Sequence, residues 1–252
     1  MQKLFYPLSL FCLSIPLVAA IFIPTENGGF ANPTFTSLSD NSFKHTNAKK
    51  AHPTEEAAIL YQEIGLAEYG LSPEAFSYAY TGYQNLLEKN KISNTAYLTI
   101  CDFSQSSVKK RLYIIDLENN QLLINTYVAH GRNSGLEYAK TFSNKPRSLQ
   151  SSMGFFITRG TYKGKYGISL NLDGVEDGIN NNALRRRIVL HGSNYVGEKY
   201  LQRSKIMGRS FGCPAVPIKE SNEIINIIKD ESCFFIYFPK KIYLEKSKIL
   251  NG

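Results

Sequence analysis

The feature that most constrains the fold is a change of apolar period at Asn94. Beyond it come short runs rich in β-branched and aromatic residues, at 96–101, 111–116 and 121–129, each too short for a helix and shaped for a pleated surface. The Glu118-Asn119-Asn120 break between the last two runs predicts a hairpin. Six glycines follow, at 154, 160, 164, 167, 174 and 178, which predicts turned strands and close backbone approaches. The C-terminal part returns to one helix over 218–229 and one strongly apolar strand over 233–238. Before Asn94 the spacing is helical. Thr54-Glu55-Glu56 reads as a cap with acidic residues in the first turn, and Ala57, Leu60, Ile64 and Ala67 follow up to Gly70. A second helix opens on Ser72 with Pro73 at its first position and carries the stripe Phe76, Ala79, Tyr80, Tyr83 and Leu87. The expectation is a mostly antiparallel β domain with a helical lead over 55–90.

With 252 residues, 43% of them apolar and 20% charged, the chain can bury a full core, which excludes disorder and collagen-like repeats for most of its length. Residues 1–20 read as an export signal: Lys3, then an uncharged run from Leu4 to Pro24 containing Val18-Ala19-Ala20 as a small-residue cleavage site. The other reading of that run is an uncleaved membrane tether through residues 4–24, which Pro7 and Pro16 disfavour. Residues 21–54, rich in Asn, Ser, Thr, Gly and Pro, read as a flexible tether, and 55–252 as the folded domain. The formal charge of +8 favours anionic partners such as cell-wall polymer. Arg185-Arg186-Arg187 reads as a solvated face, and no nucleic-acid site is expected from three cations.

Removal of the signal with Cys12 leaves Cys101, Cys213 and Cys233, an odd number for an exported protein. Cys101 and Cys233 lie in strand-like runs and read as core thiols or a mutual disulfide. Cys213 stands apart, in Arg209-Ser210-Phe211-Gly212-Cys213-Pro214-Ala215, where glycine and proline demand a turn. A thiol on such a turn exposes its sulfur, and the Gly212 and Cys213 amides can face the same space as an oxyanion hole. It needs a base, since only the thiolate attacks. His191 follows the strand-like residues 187–190, which would carry its imidazole to a strand end where Gly192 turns the chain. His130 has a similar setting in Val128-Ala129-His130-Gly131. No metal-ligand spacing occurs, so neither a metal nor a cofactor is expected.

His191-Gly192, a spacer, and Ser210-Phe211-Gly212-Cys213-Pro214-Ala215-Val216 together resemble the L,D-transpeptidase catalytic-domain family that remodels peptidoglycan. The resemblance extends to Ala129 through Gly135, Ser152 through Phe156, Tyr162-Lys163-Gly164 and Gly208-Arg209-Ser210, covering roughly residues 75 to 245. It implies an α+β, mainly β fold: an antiparallel sandwich or barrel with a short helical lead and one C-terminal helix. It also implies a monomeric, exported enzyme of the periplasm or cell wall acting on peptidoglycan stem peptides. Cys213 would attack the diaminopimelate–D-Ala carbonyl of a stem tetrapeptide, and an amine or water would resolve the thioester. Under that resemblance His191 is the base, Gly212 and Cys213 supply oxyanion amides, Ser210 supports the turn, and Arg209, His130 and Gly192 contact substrate. The chain departs from the commoner motif at Phe211, where a second histidine usually stands, and His130 could supply that imidazole. A wall-binding module without catalysis and a cysteine peptidase or amidase remain the alternatives.

Overall fold

Residues 55–165 and 167–252 are described by a computed structural model, and the expected export segment and tether lie outside them. Helix α1 (Glu55–Glu63) is followed by a 3-10 turn at Leu66–Tyr69 and by α2 (Pro73–Glu88). The apolar spacing that reads as continuous to Gly70 is broken at Gly65, whose φ of 69° ends the first helix. Ser72 caps α2: its hydroxyl accepts from the Ala75 amide at 3.0 Å, with Pro73 at the first position. The buried stripe of α2, Phe76, Ala79, Tyr80, Tyr83 and Leu86, lies against the sheet. At Gly82 the approach is so close that a Cβ would sit 2.0 Å from the Phe155 ring.

Eight strands form one sheet in the order β3-β2-β1-β8-β4-β5-β6-β7. They are β1 (Tyr97–Asp102), β2 (Leu112–Asp116), β3 (Gln121–Thr126), β4 (Gly154–Gly164), β5 (Gly167–Gly174), β6 (Val189–Ser193), β7 (Ala215–Pro217) and β8 (Cys233–Tyr237). The hairpin expected at 118–120 joins β2 to β3, its turn held by the Asp116 carboxylate, which accepts from the Glu118 and Asn119 amides.

The sheet is mixed rather than antiparallel, because β1 pairs β8 and β6 pairs β7 in parallel. Tight turns reverse a strand, but β6 reaches β7 through a long connection containing α3 (Glu198–Leu201), which returns the chain to the same end of the sheet. The two edges nearly close on each other: the Ala129 and Ala215 amides and carbonyls exchange hydrogen bonds at 2.8 and 3.3 Å. The described strands therefore make a nearly closed mixed barrel with a few helices.

One face of the sheet packs on α1 and α2, and the other holds Phe156, Leu170, Leu190 and Ile236 with Ile224, Ile225 and Ile228 of α4 (Ser221–Ile228). Leu98 pairs with Cys233, so Cys101, three residues further along β1, points to the opposite face. The two thiols belong to different cores and are free, which removes the mutual disulfide. The single expected C-terminal helix is also corrected, since α5 (Lys241–Lys246) and α6 (Lys248–Asn251) follow β8. The buried Glu176 carboxylate anchors them, accepting from the Tyr243 hydroxyl at 3.1 Å, the Ser247 hydroxyl and the Phe155 amide at 2.7 Å.

Candidate active site

Cys213 lies one residue before the end of the turn that leads into β7, and its side chain is half-buried. Ser210 builds that turn: its buried hydroxyl donates to the Cys213 carbonyl at 2.5 Å and accepts from the Gly212 amide at 3.0 Å. Gly212 has φ 127°, and a Cβ there would lie 2.8 Å from the Gln150 carbonyl oxygen, so both conformation and space require glycine. With its amide bonded to Ser210, Gly212 has no free N–H for an oxyanion. This corrects the paired-amide expectation.

The thiol donates to the Arg187 carbonyl at 3.6 Å, and no hydrogen bond joins it to His191 among the described residues. Burial pushes the Cys213 pKa up, while the Val189 amide, the Arg186 guanidinium and the Cys213 amide pull it down without cancelling that effect. At rest the sulfur is thus protonated, with two N–H groups and a cation arranged to favour its ionised form.

His191 sits in the middle of β6, paired to Ser169 on one side and to Ala215 on the other. It is not at a strand end: Gly192 continues the strand opposite Val216 and is buried against α4, where a Cβ would lie 2.5 Å from the Ser221 hydroxyl oxygen. Packing rather than substrate contact accounts for this glycine. Its carbonyl lies 2.9 Å from His191 Nδ1, and a carbonyl only accepts. Nδ1 therefore carries the proton, and the lone pair of neutral His191 is on Nε2.

His130 is corrected more strongly. Its ring is fully buried under the thiol turn, whose Ser210 amide donates to the His130 carbonyl at 3.0 Å. Arg111 Nη2 lies 2.8 Å from Nδ1 and must donate, so the proton is on Nε2, 3.4 Å from the Gly135 carbonyl. Burial, then the Arg111 charge, lowers its pKa to about 4. A neutral ring with both nitrogens engaged has no edge for substrate.

Arg111 is itself fully buried, bonded to the Val128 and Gln105 carbonyls and 4.7 Å over the Phe103 ring. Arg209 spends Nη1 on the Arg132 and Gly135 carbonyls, each at 3.2 Å, which ties the loop after His130 to the thiol turn. Phe211 is 69% exposed and lies under Arg132, whose guanidinium carbon is 5.8 Å from the ring centre. Of the three consecutive arginines, Arg185 and Arg187 are exposed as expected, but Arg186 turns inward. It donates to the Ser143 and Gln150 carbonyls and the Ser148 and Ser152 hydroxyls, bracing the connection between β3 and β4. No group of three or more His, Cys, Asp or Glu side chains could hold a metal ion among the described residues.

Searched against solved structures, the chain is similar at 8% identity to an L,D-transpeptidase from Mycobacterium smegmatis, covering 57% of this chain and 59% of that one with a TM-score of 0.35. It is similar at 13% identity to the L,D-transpeptidases of Xylanimonas cellulosilytica, covering 75% and 96% with TM-score 0.32, and of Stackebrandtia nassauensis, covering 78% and 99% with TM-score 0.33. The chain thus spans less than two thirds of the Mycobacterium smegmatis structure. A comparison with curated proteins finds no match. Residues 67–237, which run from the 3-10 turn through β8 and include the thiol turn and β6, match the L,D-transpeptidase catalytic domain, and the chain belongs to that family.

Proposed function

We propose that the protein is an exported peptidoglycan acyltransferase in which Cys213 attacks the diaminopimelate–D-Ala carbonyl of a stem tetrapeptide. The observation that carries the reading is the surroundings of the sulfur: a Ser210-braced turn with the Val189 and Cys213 amides and the Arg186 cation all favouring a thiolate. Family membership supports the same chemistry. His191 is the base we assign, because Gly192 fixes its lone pair on Nε2 and its strand runs beside Pro214, whose carbonyl accepts from the His191 amide at 3.4 Å.

In the first half-reaction Nε2 takes the thiol proton as the sulfur leaves its Arg187 contact and bonds to the carbonyl carbon. The Cys213 amide stabilises the oxyanion. Collapse breaks the C–N bond, the imidazolium proton goes to the departing D-Ala amine, and a thioester remains. An amine of a second stem, or water, then attacks, gives a proton to His191 and expels the thiolate, which takes that proton back. In this reading residues 1–20 serve as the export signal that brings the domain to its polymer. Arg209, with one guanidinium nitrogen committed to the loop, is placed in this reading to meet a substrate carboxylate with the other.

The test is acylation by a carbapenem followed by intact-mass analysis and peptide mapping. One adduct on Cys213, lost in Cys213→Ala together with D-Ala release from tetrapeptide stems, is the expected result. His191→Ala should slow both by about 10²-fold or more, as for loss of a general base, with partial rescue at high pH. Parental D-Ala release by Cys213→Ala would overturn the reading.

A further inference from the structure

Side-chain hydroxyls fix the turn that carries Cys213, and one of them comes from a distant segment. Ser210 takes the Gly212 amide and the Cys213 carbonyl. The Gly212 carbonyl is taken by Ser151, whose fully buried hydroxyl donates to it at 3.1 Å. That hydroxyl has a single hydrogen and accepts from the Gly131 amide at 3.0 Å, so its rotor is locked onto Gly212. The Ser151 backbone is itself pinned: its amide donates to the Ser134 hydroxyl at 2.9 Å, and its carbonyl accepts from the Ser143 amide at 3.0 Å. The segments touch backbone to backbone, since a Cβ on Gly131 would lie 2.9 Å from the Gly212 Cα and 2.8 Å from the Ser151 nitrogen.

The Gly212 carbonyl belongs to the same peptide as the Cys213 amide. In a planar trans peptide the C=O and N–H point in opposite directions, so whatever holds one aims the other. With its carbonyl on Ser151, this peptide turns its N–H towards the Cys213 sulfur. Gly212, at φ 127°, has no Cβ to limit rotation of the peptide that follows it, so the plane depends on a partner. The aim matters because the Gly212 amide is spent on Ser210, which leaves the Cys213 amide as the turn's remaining oxyanion donor.

We infer that Ser151 is a positioning residue for acyl transfer: by holding the Gly212 carbonyl it aims the Cys213 N–H at the oxygen that gains charge when the sulfur attacks. The inference rests on the acyl-transfer reading. Fully buried, Ser151 acts through that one peptide.

The test compares two reagents on the full chain. A carbapenem acylates Cys213 through a tetrahedral oxyanion, whereas iodoacetamide alkylates it by displacement at a saturated carbon and develops no oxyanion. Ser151→Ala should slow carbapenem acylation about tenfold or more, part of the roughly 10²–10³-fold typical of losing one donor, and should slow alkylation less than about threefold. Ser134→Ala, which loosens the same segment without touching Gly212, should leave the ratio of the two rates at the parental value, as should Ser151→Thr, which keeps the hydroxyl. An unchanged carbapenem rate or an equal fall with both reagents in Ser151→Ala overturns the inference, as does the same selective loss in Ser134→Ala or Ser151→Thr. NMR with a heavy nitrogen isotope in cysteine alone reads the amide without acylation. The Cys213 resonance, identified by its loss in Cys213→Ala, should shift or broaden in Ser151→Ala while those of Cys101 and Cys233 stay in place, and an unmoved Cys213 resonance overturns the inference too. A parent that is alkylated yet forms no carbapenem adduct refutes the acyl-transfer reading, and the resonance still reports on Ser151.

Discussion

The buried His130 makes the thiol turn acid-sensitive, and the size of the effect follows from its surroundings. Its pKa falls from 6.5 to about 4 on folding, because burial and then the Arg111 charge penalise the imidazolium, with Arg209 adding to them against the Gly135 and Leu136 carbonyls. A depressed histidine pKa means that the unfolded chain binds the proton first. Stability from this group is therefore complete above about pH 6.5, declines as pH falls towards 4, and is gone below that. At about 1.4 kcal/mol per unit the full loss is about 3 kcal/mol, and about 2 kcal/mol has gone by pH 5. Glu176 works in the other direction, since burial raises its pKa and its folded form gains from protonation as pH falls. The measurement must isolate His130. Urea denaturation of parent and His130→Asn, whose amide oxygen can still accept from Arg111, at about pH 8 and about pH 5 should give a pH effect smaller by about 2 kcal/mol in the variant. Equal pH effects in the two proteins would refute the argument.

Arg186→Gln removes the cation beside Cys213 while keeping some hydrogen bonding, so the thiol pKa should rise further and iodoacetamide alkylation at neutral pH should slow. An unchanged rate would show that the Arg186 charge does not reach the sulfur. Gly192→Ala forces a Cβ into the Ser221 hydroxyl at 2.5 Å, and should destabilise the domain by about 1–3 kcal/mol in denaturant, with Ser221→Gly restoring most of it.

Much of the fold is written in local pattern. The Ser72-Pro73 start of α2, the hairpin at 118–120 and the apolar strand β8 all depend on residues close in sequence, and each stands within a few residues of where the pattern puts it. Strand direction is not local. Whether β8 lies parallel or antiparallel to β1 depends on where the connections before it deliver the chain, and no periodicity carries that. The thiol turn is similarly legible, because Gly212 and Pro214 advertise a special backbone. The residues around it are not. Arg186 is indistinguishable in sequence from its exposed neighbours, and Arg111 opens a strand like any edge cation, although one faces Cys213 and the other holds His130 in its tautomer. His130 and His191 follow look-alike strands yet carry their protons on opposite nitrogens, since each tautomer is set by a tertiary partner.

The Ala129–Ala215 pair also bears on the order in which the molecule assembles. It joins positions about 85 residues apart, so its loop-closure entropy is met only after the intervening hairpins and β6 have formed. The segment carrying Cys213 enters β7 at this joint, and its nucleophile takes up its working geometry among the last events of folding. In the native state the same joint is the natural place for sub-global opening, because isolated bridges, Ala129–Ala215 and Gly131–Ser210, hold it where β1 and β8 share a continuous ladder. Mild denaturant should thus abolish acylation of Cys213 by a carbapenem before the helices and central strands melt.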